Sequence, residues 1–233
     1  MVCRYFSIAF LLLHICHASP PSVDQLLGVV HHHAIVTLRA VARLHGLAMS
    51  TSGPPFRALP GLPGEGAPPV QFSATGQGTH REGFVVEFSP RDAESWVGNF
   101  QPGLSAYSEA ILHPSGRSVL VISGGQLYQV DPDTRGLLST FGGIISDCIK
   151  DPSGSLLVFS DGIRLWALDS SGLRWQTERI SWDGIRALSI SRGSVTGEAY
   201  DPIKNAWKPF QVDLASGRIS GGSYPENSIL PRT

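Results

Sequence analysis

Tyr128-Gln-Val-Asp131…Gly136, Trp166-Ala-Leu-Asp169…Gly172 and Phe210-Gln-Val-Asp213…Gly217 repeat one local pattern: an aromatic, any residue, Val or Leu, Asp, then Gly. The aspartates fall 38 and then 44 residues apart, a spacing that marks a supersecondary unit repeated in tandem. In a strand, residues two apart share a face, so the aromatic and the Val or Leu point together into a core. The Asp then caps a turn through its carboxylate, and Gly reverses the chain at positive φ.

The flanking residues extend each match to four strands. In the middle unit these are Ile144–Ile149, Leu156–Phe159, Ile163–Leu168 and Leu173–Thr177, with turns at Asp151-Pro-Ser-Gly154 and Ser160-Asp-Gly162. The first unit parallels it with Ala110–Leu112, Ser118–Ile122, Leu127–Val130 and Leu137–Phe141, turning at His113-Pro-Ser-Gly116 and Ser123-Gly-Gly125. The third unit is looser: Ile185–Ile190, Ser194–Ala199, Trp207–Leu214 and Ile219–Tyr224. Further strands at Phe84–Phe88 and Trp96–Phe100 would supply part of a fourth unit.

Ser160-Asp-Gly-Ile-Arg-Leu-Trp-Ala-Leu-Asp169 resembles the third strand of a WD40 blade, although Ala167 stands where that family has Asp. The Val-Asp or Leu-Asp followed by Gly also resembles repeats of the quinoprotein-like and YVTN-type propellers. The resemblance covers about Leu104–Tyr224 and implies an all-β fold of tandem four-stranded propeller-like repeats. Three full units are too few for a comfortable ring, since propellers close with four to eight blades. A partial or open propeller is the expectation, with a β-sandwich as the alternative.

The rest of the chain divides by composition. In residues 1–50, Arg4 precedes the apolar run Phe6–Cys16, and Ala18 and Ser19 precede Pro20-Pro21, the layout of a secretory signal peptide. That run is shorter than the roughly 20 apolar residues of a spanning helix, so no transmembrane segment is expected. Ser22-Val-Asp-Gln25 reads as a capping box opening a helix to about Leu47. A second reading stands beside this one. The residues before Met49 hold six of the eight histidines and two of the three cysteines, as upstream DNA read from a mis-set start would. The first reading implies export and the second a cytoplasmic protein. Residues 51–82, with Gly53-Pro-Pro, Pro60-Gly-Leu-Pro-Gly64 and Pro68-Pro69, read as a linker or disordered leader with at most a short strand near Val70–Phe72. The repeat domain is expected over 83–225 and a tail over 226–233.

Charge and motif content exclude several classes. The formal net charge is −1 and the body of the chain carries no Lys/Arg block, which disfavours nucleic acid as a partner. No nucleophile elbow, P-loop, H-E-x-x-H or paired C-x-x-C occurs. The triplet His31-His32-His33 would point three ways on a helix and does not read as a metal site. Asp131, Asp133 and Gly136 lack the remaining ligands of a calcium loop, so they read as a turn. His113 reads as a turn residue and Cys148 as an inert strand thiol. No catalytic residue, cofactor or metal site is assigned.

The densest polar and aromatic groups are Trp175, Arg179, Trp182, Asp183 and Arg186, with Trp207 in the next unit and Trp96 earlier. Aromatics and arginines dominate binding hot spots, and loops on a β scaffold commonly carry function. The same indoles read more readily as cover for the core. The leading expectation is therefore a non-enzymatic binding or interaction domain, with a protein partner or self-association. The resemblance also allows a quinoprotein-like enzyme or cofactor-binding protein as the alternative.

Overall fold

The computed structural model describes residues 54–76 and 80–224. Among them there are sixteen strands and no helix, arranged as four four-stranded sheets in tandem. Sheet one contains β1 (Phe56–Leu59), β2 (Val70–Phe72), β3 (Phe84–Phe88) and β4 (Trp96–Phe100). Sheet two contains β5 (Glu109–Leu112), β6 (Val119–Ser123), β7 (Gln126–Asp131) and β8 (Gly136–Gly142). Sheet three contains β9 (Asp147–Lys150), β10 (Leu157–Ser160), β11 (Leu165–Asp169) and β12 (Gly172–Gln176). Sheet four contains β13 (Ile185–Ser191), β14 (Ser194–Asp201), β15 (Ala206–Asp213) and β16 (Ile219–Gly221). The array is open: buried clusters join sheets one and two, two and three, and three and four. The separate sheets and their serial packing are those of the propeller-like array and not of a two-sheet sandwich.

Each repeated aromatic packs against the sheet before its own. Tyr128 and Val130 sit in the cluster shared with sheet one. Leu168 and Trp166 belong to the cluster shared with sheet two, and Phe210 and Val212 to the one shared with sheet three. The turn aspartates behave as their position requires. Asp131 Oδ1 accepts the amides of Asp133 at 2.9 Å and Thr134 at 3.3 Å, so this segment is a capped turn. Asp169 accepts the Ser171 amide at 2.8 Å, and Asp213 accepts the Ser216 amide at 2.8 Å.

The second strand of each sheet shows where the array ends. β6 and β10 are apolar on both faces because a sheet lies on either side. β14 alternates instead: Val195, Gly197 and Ala199 are buried, while Thr196 is exposed and Glu198 and Tyr200 are half-buried on the opposite face. Among the described residues sheet four is thus a terminal layer with a polar outer side, as a capping repeat needs. Gly197 leaves room for the Phe210 ring, whose Cζ would lie 2.8 Å from an added Cβ.

Sheet one is wired differently from the others. Sheets two to four are simple meanders, but sheet one runs β1-β3-β4-β2, with β2 parallel to β4. Its strands also run the opposite way. The start of β3 meets the end of β6, since the Phe84 amide donates to Ser123 Oγ (3.4 Å) and Ser123 Oγ donates to Phe100 O (2.8 Å). The repeat motif sits in the turn between the third and fourth strands of the other sheets; in sheet one the strand beside β4 is β2, which precedes it in the chain and runs parallel to it, so that turn and its motif do not occur.

The segment read as a linker over 51–82 contributes β1 and β2, so the first sheet begins at Phe56 and not at residue 83. The prolines permit this because they flank the strands: Pro54-Pro55 precede β1, Pro60 follows it, and Pro68-Pro69 precede β2. Both are short edge strands of the sheet, where a missing donor is tolerated. Phe72 stacks on Phe100 at 4.6 Å, giving β2 the apolar burial that repays its ordering. On the outer side, Asn99 is 1 % exposed. Its Oδ1 accepts the Gly83 amide at 2.9 Å and its Nδ2 donates to Gln71 Oε1 at 2.9 Å. The expected signal peptide or upstream extension of residues 1–50 and the tail after Pro225 lie outside the described residues.

Candidate functional site

The seven candidate residues separate into core and surface. Trp96 is buried in sheet one, stacks on Phe88 at 4.2 Å and donates its Nε1–H to Pro132 O of sheet two at 2.8 Å. Trp175 is buried in sheet three and donates to Leu214 O of sheet four at 2.8 Å. Both indoles therefore lie at joints between neighbouring sheets and not in open loops.

The other five gather at one corner of sheet four. The connection after β12 carries Arg179, whose Nε donates to Ser181 O (2.8 Å) and whose Nη2 donates to Trp182 O (2.7 Å). Its guanidinium lies 4.8 Å from the Tyr224 ring and 5.5 Å from the Trp182 ring, a cation–π arrangement. Trp182 and Tyr224 meet edge to face at 4.6 Å. Asp183 is exposed. Gly184 then adopts φ +104°, and an added Cβ would touch Trp207 at 3.4 Å, so the turn and the outer face of sheet four meet here. On that face Arg186 lies 3.9 Å over the Trp207 ring and is fixed by Glu198 Oε2 at 2.8 Å. Tyr200 packs on Trp207 at 5.1 Å and donates to Asn205 Oδ1 at 2.7 Å.

Sequence reasoning missed Glu198, Tyr200, Asn205 and Tyr224. The alternation within β14 was the available signal for Glu198 and Tyr200, because it sets them on the face opposite Val195 and Ala199. Tyr224 had none, since only the course of the segment after β16 brings it here. Ser223 fixes that course: its Oγ donates to Tyr200 O at 2.6 Å and accepts the Trp182 amide at 3.1 Å. The corner offers stacked arginines and aromatic faces. It presents no hydroxyl or thiol beside a base.

Two isolated groups are accounted for by packing. Cys148 is free and half-buried in β9. Burial, then the neighbouring Glu109, pushes its thiol well up and away from the thiolate, against the pull of Lys150. His113 is buried in the turn between β5 and β6. Its Nδ1 accepts the Ser115 amide at 3.1 Å and lies 2.8 Å from Ser115 Oγ, so the neutral ring carries its proton on Nε2 and serves as a turn acceptor. Burial lowers its pKa from the ordinary 6.5, with Asp169 pulling the other way.

This sets a stability window. A lowered folded-state value means that the unfolded chain binds the proton first, so the contribution is complete above about pH 6.5 and is lost as pH falls through the folded value. The capped carboxylates of Asp131, Asp169 and Asp213 are held below 3.8 and act only at lower pH. For Asp169 and Asp213 the first cause is the serine hydroxyl bond, to Ser171 and Ser216 respectively. For Asp131 the hydrogen bonds to Asp133 and Thr134 outweigh the opposing effect of burial. Melting at pH 7.5 and pH 5 is expected to show a drop that His113→Asn abolishes, since asparagine keeps the turn acceptor without the titration. An unchanged drop in His113→Asn would contradict the assignment.

Among the described residues, no three His, Cys, Asp or Glu side chains come together as they would around an ion. No described helix is long and apolar enough to cross a membrane. No family model matches the sequence, and no curated protein matches it. Among solved structures the chain is similar to a eukaryotic initiation factor, at 8 % identity and TM-score 0.36, over 61 % of this chain and 40 % of that one. It is also similar to a protein assigned as TolB from Agrobacterium tumefaciens, at 20 % identity and TM-score 0.32, over 62 % of this chain and 54 % of that one. The chain spans about half the length of these proteins or less, and the likenesses are too distant to bear on function.

Proposed function

We propose that this chain is a non-enzymatic binding domain that takes a protein partner at the Arg179–Trp182–Arg186–Trp207 corner. The observation that carries the reading is the Arg186 guanidinium stacked on Trp207 and fixed by Glu198 on the open side of the last sheet. Such a pair is preorganised, and ordering cost is what limits most interfaces. Arginine with Trp and Tyr is the composition of an interface centre. The continuous run from Tyr224 through Gly184 to Tyr200 supplies rigid aromatic surface around it.

The test is capture from the native source with wild-type chain and with Arg186→Ala, read by mass spectrometry and followed by binding measurements on the purified partner. Arg186 is exposed, so its removal is expected to change stability by no more than about 0.5 kcal/mol. A partner retained by wild type and lost from the variant at equal melting temperature supports the reading. Equal binding by both chains would overturn it.

A further inference from the structure

A cleft of about 470 Å³ lies between the ends of sheets three and four, lined by β12 with the segment after it and by β16 with the turn before it. Ligand sites ordinarily measure roughly 300–1,000 Å³. Its wall at Gly217 is firm: an added Cβ there would meet the Trp175 ring at 3.0 Å, and that indole is tied to Leu214 O. Two guanidiniums line it, Arg179 from one side and Arg218 from the other.

Arg179 is held in place. Its Nε and Nη2 are engaged by Ser181 O and Trp182 O, and the Tyr224 ring lies 4.8 Å from the guanidinium. Nη1 has no hydrogen-bond partner among the described residues. Arg218 is exposed and forms no ion pair among the described residues. Asp213 feels its charge at longer range, but that carboxylate already accepts the Ser216 amide at 2.8 Å and the Ser216 hydroxyl at 2.6 Å. Glu178 is the one acid that lines the cleft, so one positive charge there is left unbalanced.

We propose that this cleft takes a carboxylate side chain from an acidic segment of the protein partner. Guanidinium forks match carboxylates through paired, charge-assisted hydrogen bonds. One surplus positive charge suits a carboxylate; a phosphate, at about −1.5 to −2, exceeds it and is opposed by Glu178. The origin of the carboxylate rests on the corner reading above: Tyr224 lines the cleft and also packs on Trp182, so one partner can reach both.

NMR titration of the full chain with N-acetylglutamate amide, N-acetylglutamine amide and inorganic phosphate tests it. Saturable shifts of the amides of residues 176–179 and 216–221 are expected with the glutamate compound and not with the glutamine one. Arg218→Gln, at unchanged melting temperature, is expected to weaken binding by ~10-fold or more, whereas Glu178→Gln tightens it. Arg174→Gln, on β12 but outside the cleft, leaves it unchanged. No saturable shift with the glutamate compound would overturn the proposal, as would an equal response to the glutamine compound, tighter binding of phosphate, or an equal loss in Arg174→Gln. A partner still captured through Arg186 by a chain whose cleft binds no carboxylate overturns the cleft alone. Carboxylate binding in a chain that captures no partner supports the cleft while the corner reading falls.

Discussion

Tyr128→Ala is expected to cost roughly 3–5 kcal/mol, enough to unfold much of the population of a domain of ordinary stability. The ring is fully buried between sheets one and two, 5.4 Å from Phe100. Its hydroxyl donates to Gln101 O at 2.7 Å, on the segment that leaves sheet one. The substitution removes the aromatic from the joint and strands that carbonyl. Tyr128→Phe keeps the ring and is expected to lose only about 1 kcal/mol. Denaturant unfolding of the two variants separates the terms. Equal, small losses would mean that the repeated aromatic does not hold the sheets together.

Gly103→Ala is expected to destabilise by about 1–3 kcal/mol or more, through backbone crowding and not through lost burial. An added Cβ would stand 2.4 Å from Gly143 O and 2.7 Å from Gly124 O. Both are main-chain atoms in a crossing of three segments. Gly103 N donates to Ser123 O at 2.9 Å, Leu104 N to Gly143 O at 2.7 Å and Ser105 N to Gly124 O at 2.8 Å. No side-chain rotation can relieve the contact, so the crossing itself must open. Gly116→Ala offers a comparison, because its added Cβ meets nothing within 4 Å and the position carries only the strain of φ +71°. Melting temperatures are expected to fall further for Gly103→Ala. The reverse order would contradict the crossing.

Much of this fold was legible because the repeat states it three times. Tyr128, Trp166 and Phe210 each bring a strand face, a capped turn and a period. Those strands form with their ends shifted by a residue or two, apart from β9, which starts at Asp147 and not Ile144, and β16, which ends at Gly221 and not Tyr224. The first sheet was only half legible. Phe84–Phe88 and Trp96–Phe100 alternate apolar residues densely enough to read as strands, and both form as read. β1 hides among prolines, and β2, read only as a possible short strand near Val70–Phe72, forms at those residues; the local cost of the prolines is offset by contacts with residues far along the chain. Phe72 against Phe100 and the amide of Gln101 on Phe72 O at 2.9 Å are such contacts.

The candidate surface was legible as composition and not as geometry. Nothing local distinguishes Trp175, whose indole reaches across to Leu214, from Trp182, which stays at the surface. The partner strand decides, and its position is a property of the fold. Arg186 and Trp207 lie far apart along the chain and become neighbours only through the register of β13, β14 and β15.

The fold is a four-sheet array whose first sheet draws two strands from the proline-rich segment. Hydrogen exchange of the full chain, resolved by peptide mass spectrometry, tests this most directly. Peptides covering residues 56–59 and 70–72 are expected to share in the slow exchange of 84–88 and 96–100 and to lose protection together with them under denaturant. Exchange of those two stretches at the rate of an unstructured chain, while 84–100 stays protected, would contradict it.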